Sequence, residues 1–176
     1  RERRMSSVVR RPLILIAVFV ALLAAAASLF GLLPSSKVEK PQAQFQTLRH
    51  GAMNLDGLRG KPVLVTFWAT TCTICLSEMP ELVKLYQRHR ARGFELVAVA
   101  MPYDAAWLVA DYATSRALPF PVAFDAKGEA VKAFGSIEGT PTAFLLDKQG
   151  RVVERIRGRP DFGRLNAQIE DLLHQT

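Results

Sequence analysis

Cys72 and Cys75 are the residues of this sequence whose type and spacing point most directly to chemistry. They lie three positions apart, and the chain has only these two cysteines. Residues three apart on one helical turn satisfy the Cα separation of roughly 5–6 Å that a disulfide needs. A disulfide-stabilised scaffold would need more cysteines, and a structural zinc site normally needs four ligands. The pair therefore favours redox chemistry, with no metal and no cofactor expected beyond the disulfide itself.

Two other interpretations of the cysteine pair stay open from the residues alone. Both cysteines can be buried and inert, or the two thiolates can hold one copper(I) ion, which prefers soft sulfur ligands. A dedicated copper carrier often recruits a histidine as well, and none lies near the pair in the sequence. The metal content of the reduced protein separates copper binding from thiol–disulfide exchange.

The elements predicted around the cysteines place Cys72 at the start of a helix. Residues 62–68 form an apolar run that is typical of a central strand, because both faces of such a strand are buried. A helix is predicted to follow from about Cys72 to Arg90. Free N–H groups and the helix dipole at that end stabilise a thiolate. We therefore expect Cys72 to be the attacking sulfur and Cys75 to be the resolving one.

The rest of the chain after residue 44 alternates strands and helices. The predicted elements are a short edge strand at 45–49, strands at 94–100 and 120–124, a helix capped by Asp104 that runs to about Ser115, a helical segment at 129–134, a hairpin of strands at 142–146 and 152–156, and a final helix from Asp161 to about His174. Parallel strands joined by crossover helices on both faces, followed by an antiparallel hairpin, give an α/β fold with a mixed sheet sandwiched by helices.

The first 33 residues have the composition of a membrane segment preceded by a basic arm. Residues 1–11 contain five arginines and one glutamate, and the 21 residues 13–33 contain no charge. At ~1.5 Å per helical residue this run spans roughly 30 Å, the thickness of a bilayer core. The positive-inside rule then keeps residues 1–11 in the cytoplasm and places the rest of the chain outside.

Four regions are expected from these features: a basic cytoplasmic arm at 1–11, a transmembrane anchor at 12–33, an exposed linker at 34–44 and one folded domain at 45–176. A cleaved signal peptide is the alternative for 12–33, because its alanines offer cleavage sites. An uncleaved anchor would make this a single-pass protein of a bacterial inner membrane, with its domain on the periplasmic side. The net charge of +7 falls to +3 outside the arm, so no nucleic-acid partner is expected.

Four motifs of the chain resemble the TlpA-like, membrane-anchored branch of the thioredoxin superfamily. In chain order they are Leu58-Arg59-Gly60-Lys61-Pro62, Trp68 to Cys75 followed by Pro80, Gly139-Thr140-Pro141-Thr142, and Phe144-Leu145-Leu146-Asp147-Lys148-Gln149-Gly150. The resemblance covers residues 45–173. It implies a thioredoxin-like fold and a protein-disulfide reductase that acts on exported proteins, including apocytochrome c in some members, with electrons supplied by another membrane protein.

The resemblance also implies roles for residues outside the cysteine pair. Residues 139–142 match the superfamily's cis-proline loop, so the Thr140–Pro141 bond is expected to be cis. The backbone of Thr140 and the ring of Pro141 would then contact an extended segment of the protein substrate. Trp68 is expected on the rim of the cysteine cleft, where it would also bind substrate, with a position in the core as the alternative.

Glu78 is the third expected catalytic residue. It follows Cys75 by one helical turn, and helical side chains lean back toward the N-terminus, so its carboxylate can approach Cys75 and accept its proton. A glutamate at this spacing also resembles the one in the TlpA-like branch. The alternative is a solvated carboxylate that only complements the helix dipole.

Two departures from thioredoxin limit what the resemblance transfers. Thr66 replaces the buried aspartate that thioredoxin has two residues before the tryptophan, and Thr73-Ile74 replaces Gly-Pro between the cysteines. Strong oxidants owe their power to a stabilised reduced form. Thr73 and Ile74 carry no charge that would stabilise a thiolate in the reduced protein, so this pair favours a reductase. The alternative functions are a disulfide oxidase or isomerase, a thiol peroxidase, and a non-catalytic copper(I) or apoprotein chaperone.

Overall fold

The computed structural model describes residues 40–49, 51–135 and 137–175 of the 176-residue chain. Its strands are β1 (Gln44–Thr47), β2 (Gly51–Asn54), β3 (Val63–Trp68), β4 (Glu95–Ala100), β5 (Val122–Phe124), β6 (Thr142–Leu146) and β7 (Val152–Arg157). Its α-helices are α1 (Thr73–His89), α2 (Ala106–Ser115), α3 (Glu129–Ala133) and α4 (Phe162–His174), and short 3-10 helices lie at Leu55–Leu58 and Arg90–Arg92.

The strand that leads to the cysteines lies inside the sheet. The strand order is β2-β1-β5-β4-β3-β6-β7. β3 pairs in parallel with β4 and antiparallel with β6, and all 6 of its residues are buried. The apolar run at residues 62–68 is therefore a central strand of a mixed sheet, as predicted.

Both crossover helices pack on the same face of the sheet, which corrects the predicted arrangement. One face shares an apolar core with α1, α2 and α4, which contribute Met79, Val109 and Ile169 among others. The other face packs against α3 through Ala130. The succession β3, β4, β5 advances in one direction across the sheet, and right-handed crossovers that advance in one direction lie on one face. Helices still cover both faces, so the predicted sandwich is confirmed.

The strand predicted at the edge of the sheet is internal. β1 pairs with β2 through Phe45 and Met53, and with β5 through Thr47 and Ala123, so β2 forms the edge. The sequence of β2 is Gly-Ala-Met-Asn, which lacks the alternation and the β-branched residues that mark a strand. Its strand conformation therefore depends on pairing with β1 rather than on local preference.

The folded domain begins before the predicted boundary at residue 45. Pro41 and Ala43 are buried, and the Ala43 carbonyl accepts a hydrogen bond from the Leu55 N–H at 2.9 Å. Residues 41–44 therefore belong to the domain and not to an exposed linker. The predicted arm at 1–11 and anchor at 12–33 lie outside the described residues. Within the part of the chain that is described, no helix has both the length and the apolar character needed to cross a bilayer.

Candidate active site

Cys72 and Cys75 form a disulfide between the end of β3 and the first turn of α1. Their Cα atoms are 5.2 Å apart, as the spacing predicts. Cys72 is the N-cap residue of α1, and its Sγ accepts a hydrogen bond from the Cys75 N–H at 3.2 Å. After reduction, Cys72 would face this donor and the positive end of the helix dipole, and both favour a thiolate.

The two cysteines differ in their access to solvent. Cys72 is half-buried, whereas the exposed fraction of Cys75 is 0 %. Cys72 is therefore the more exposed of the two cysteines. An incoming disulfide can therefore reach Cys72 first, while Cys75, on the first turn of α1, lies within the apolar core. The roles of attacker and resolver stay predictions that fit this difference.

The Thr140–Pro141 peptide bond is cis, as predicted. β6 begins at the next residue, and its Thr142 pairs with Phe67 near the end of β3. The Gly158 N–H donates a hydrogen bond to the Pro141 carbonyl at 2.9 Å, which ties the loop to the end of β7. The topology thus brings the cis-proline loop and the cysteines to the same end of the sheet. Substrate contact through Thr140 and Pro141 stays a prediction.

Trp68 lies in the core and not on the rim of the cysteine cleft. Its exposed fraction is 0 %, and its ring packs against Tyr112 of α2 with centroids 5.4 Å apart. Alternation along β3 puts Trp68 on the same face as Leu64, and α2 covers that face. The predicted position on the rim is therefore wrong, and the alternative of a core position is confirmed.

Glu78 is a buried carboxyl group on the same helix as the cysteines. It lies one turn after Cys75, and its exposed fraction is 1 %. Its Oε2 has no hydrogen-bond partner within the described part of the chain. Burial raises the pKa of Glu78 from 4.5 to about 7, and the positive charge of Arg159 opposes part of this rise. The alternative of a solvated carboxylate is therefore wrong.

A carboxyl group with this pKa can take up and release a proton near neutral pH. Thr66 of β3 is also buried, but its hydroxyl does not ionise in this range. Of these two buried residues, Glu78 on α1 is therefore the one that can exchange a proton near neutral pH. Proton transfer between Cys75 and Glu78 stays a prediction.

Asp104 holds the loop that leads to Cys72, a role that the sequence analysis missed. Its carboxylate oxygens accept hydrogen bonds from the N–H and the Oγ1 of Thr70, each at 2.6 Å. The prediction that Asp104 caps α2 is wrong, because Ala105 is the N-cap residue. Thr70 and Asp104 each follow one of the paired parallel strands β3 and β4, so only the tertiary pairing of these strands reveals the contact.

A cavity of about 490 Å³ lies away from the cysteines, between β1, β5 and α3. Its lining includes Phe45, Val99 and Ala130 but neither cysteine, and neither Glu78 nor Pro141. The disulfide therefore does not open into this cavity. A half-buried Cys72 outside this cavity suits a macromolecular thiol partner better than a small enclosed ligand.

Comparison with known proteins gives matches that span the described domain. The family model for Redoxin matches residues 35–171. The thiol-disulfide oxidoreductase ResA of Bacillus thuringiensis subsp. konkukian is 35% identical over 136 residues, which are 77% of this chain and 75% of that protein. The protein of the same name from Oceanobacillus iheyensis is 36% identical over 124 residues, 70% of this chain and 63% of that protein.

Solved structures share the arrangement of strands and helices. A candidate thioredoxin from Neisseria meningitidis matches with a TM-score of 0.72 at 32% identity, over 78% of this chain and 91% of that one. A thiol:disulfide interchange protein of the thioredoxin family from Chlorobium tepidum matches with a TM-score of 0.70 at 28% identity, over 77% of this chain and 96% of that one. These matches confirm the thioredoxin-like fold that the motifs predict.

Proposed function

We propose a specific task for this chain, which belongs to the Redoxin family: it is a protein-disulfide reductase that acts outside the cytoplasmic membrane. Its similarity to thiol-disulfide oxidoreductases supports exchange with protein thiols and disulfides. The observation that carries the proposal is the disulfide at the start of α1, with Cys72 accessible and Cys75 buried. That asymmetry suits attack by one sulfur and resolution by the other.

The reaction starts from the reduced form of both cysteines. The Cys72 thiolate attacks one sulfur of a substrate disulfide, which forms a mixed disulfide and releases the other substrate sulfur as a thiolate. Cys75 then loses its proton and attacks the Cys72 Sγ, so the mixed disulfide breaks and the second substrate thiolate leaves. Two electrons pass to the substrate, and the Cys72–Cys75 disulfide is the product.

Glu78 accepts the Cys75 proton in the second step. Burial disfavours a thiolate at Cys75, so a proton acceptor close to it would speed the resolving attack. Glu78 is buried one turn away, and its pKa of about 7 allows it to accept the proton and later release it to water. Glu78→Gln keeps the size of the side chain but cannot accept a proton.

The protein substrate binds as an extended segment beside the cis-proline loop. The Thr140 backbone would pair with that segment, while Pro141 holds the loop next to the end of β3. The apolar run at 13–33 supports a membrane anchor, with the domain on the periplasmic side of a bacterial inner membrane. A second membrane protein would reduce the Cys72–Cys75 disulfide after each turnover, and apocytochrome c is one candidate substrate class.

The test measures both steps and the redox direction with the reduced full-length protein. A disulfide-bonded protein substrate should gain two thiols for each Cys72–Cys75 disulfide that forms. Titration against glutathione should give a potential near the reducing end of the range from about −270 to about −120 mV. A potential near the oxidising end would favour a disulfide oxidase instead. In stopped-flow mixing, Glu78→Gln should slow resolution and leave the first attack unchanged; normal resolution would remove Glu78 from the mechanism.

A further inference from the structure

Two aromatic side chains near the start of α2 are unusually exposed. The exposed fraction is 64% for Tyr103 and 71% for Trp107. Exposed tryptophan and tyrosine side chains are common at the energetic centres of protein interfaces. Within the described residues the large exposed apolar side chains are Leu48, Ile74, Tyr103, Trp107 and Val153, and three of these lie on the segments that follow β3 and β4.

The aromatic pair lies on the segment after β4, which is joined by hydrogen bonds to the loop between β3 and Cys72. β3 and β4 are parallel neighbours whose last residues, Trp68 and Ala100, are paired. The segments that follow the two strands therefore leave the sheet at the same end. The Asp104 carboxylate then joins the two segments through its two hydrogen bonds to Thr70. Thr70 is two residues before Cys72, and Asp104 lies between Tyr103 and Trp107 in the chain.

We propose that Tyr103 and Trp107, here called the aromatic surface, bind an apolar side chain of the substrate polypeptide close to its disulfide. The proposal rests on the proposed function and names its substrate class, an unfolded protein. Folded proteins bury their large apolar side chains, whereas an unfolded chain presents them beside its cysteines. Ile74 lies between the two cysteines and is 52% exposed. The hydrogen bonds from Thr70 to Asp104 hold the segment with the aromatic surface against the segment that leads to Cys72, so a polypeptide bound at Cys72 can reach that surface.

The aromatic surface contributes affinity and takes no part in electron transfer. Neither side chain carries a group that exchanges thiols or accepts the Cys75 proton. Loss of Trp107 should therefore raise KM for an apolar substrate and leave kcat unchanged. The reduction of a small disulfide, which cannot span the distance to a separate docking site, should not change.

The experiment compares two disulfide-bonded peptides that differ at one position beside the cysteine, phenylalanine in one and serine in the other. Trp107→Ala should lower kcat/KM for the phenylalanine peptide by roughly tenfold or more, as truncation of an interface anchor does. The serine peptide and oxidised glutathione should react at the wild-type rate. Val153→Ala is the matched control, because Val153 is 48% exposed on the distant strand β7. An equal loss for all three substrates, or no loss for the phenylalanine peptide, would overturn the proposal.

A binding measurement separates this proposal from the reductase activity. The oxidised wild-type protein is mixed with a phenylalanine peptide whose cysteines are replaced by serine, so no exchange is possible. The chain has 2 tryptophans, and Trp68 is already buried, so iodide quenching reports on Trp107. The peptide should protect this fluorescence, and the serine analogue should not. Absence of protection would overturn the docking surface whether or not the protein reduces disulfides.

Discussion

The Asp104 carboxylate accepts hydrogen bonds from both the backbone N–H and the Oγ1 of Thr70, each at 2.6 Å. It also accepts one from the Ala105 N–H at 2.8 Å. Three donors on two loops therefore share one partly buried carboxylate. The segment that leads to Cys72 is fixed against the segment that leads to α2 by side-chain chemistry, at a point where the ladder between β3 and β4 has ended.

Asp104→Ala should destabilise the protein, because it leaves these three donors without their acceptor. Loss of an acceptor for a partly buried donor costs about 1–3 kcal/mol, so urea unfolding should show a fall of this size in the free energy of unfolding. Asp111→Ala is the control, since Asp111 is exposed on α2. Equal stability of the two variants would contradict a structural role for the Thr70–Asp104 contact.

The ionisation of Glu78 should lower the stability of the oxidised protein as the pH rises. The pKa of Glu78 is about 7 in the folded protein and lies above the ordinary value of 4.5, which applies to the unfolded chain. The folded state therefore holds this proton more tightly than the unfolded state. The favourable contribution is complete below pH 4.5 and is lost as the pH rises through about 7. The total loss is at most ~3 kcal/mol, from the size of the shift.

Unfolding free energies of wild type and Glu78→Gln between pH 4 and pH 8 measure this contribution, because other titrating groups cancel in the difference. Relative to wild type, the variant should gain stability across this interval. A pH-independent difference would show that Glu78 titrates normally and is not desolvated.

Arg159→Gln should raise the pKa of Glu78 above about 7, because the positive charge of Arg159 favours the ionised carboxylate. The carboxyl carbon of Glu78 reports this titration by NMR. Arg157→Gln removes an exposed charge two positions earlier and should leave the midpoint in place. An equal shift in both variants would mean that net charge, and not the position of Arg159, sets the pKa.

The elements that carry the redox centre were predictable because local signals agreed there. The apolar run of β3, the cysteine spacing and the glycine turn of the β6–β7 hairpin each mark their element without tertiary information. The bounds of α1 differ from the predicted ones by one residue at each end. The cis bond before Pro141 came from the family resemblance, since an X–Pro bond is otherwise trans in most cases.

The errors share a tertiary cause. The sequence does not show which face of the sheet a crossover helix covers, and the prediction placed crossover helices on both faces. In the structure α2 shares the face of α1, so Tyr112 reaches Trp68 and buries it. The strand β2 and the Thr70–Asp104 contact likewise depend on neighbours that are distant in the sequence. The burial of Glu78 follows from helix packing that its spacing from Cys75 does not reveal.

Full-length protein should stay in the membrane fraction after an alkaline wash, if residues 12–33 form an uncleaved anchor. The uncharged run is long enough to cross a bilayer, and the arginines before it should keep residues 1–11 in the cytoplasm. Protease added to the periplasmic side of intact inner membranes should then degrade the domain. Recovery of a soluble form that begins near Ser28 would instead indicate a cleaved signal peptide.

The most direct measurement of the central claim is mass spectrometry of the adduct that Cys75→Ser forms with a disulfide-bonded protein substrate. Cys75→Ser keeps the accessible Cys72 but removes the buried sulfur that resolves the mixed disulfide. The variant should therefore accumulate a one-to-one adduct joined through Cys72, and Cys72→Ser should form little adduct under the same conditions. A faster or larger adduct through Cys75 in Cys72→Ser, or turnover without an adduct in Cys75→Ser, would contradict attack by Cys72 and resolution by Cys75.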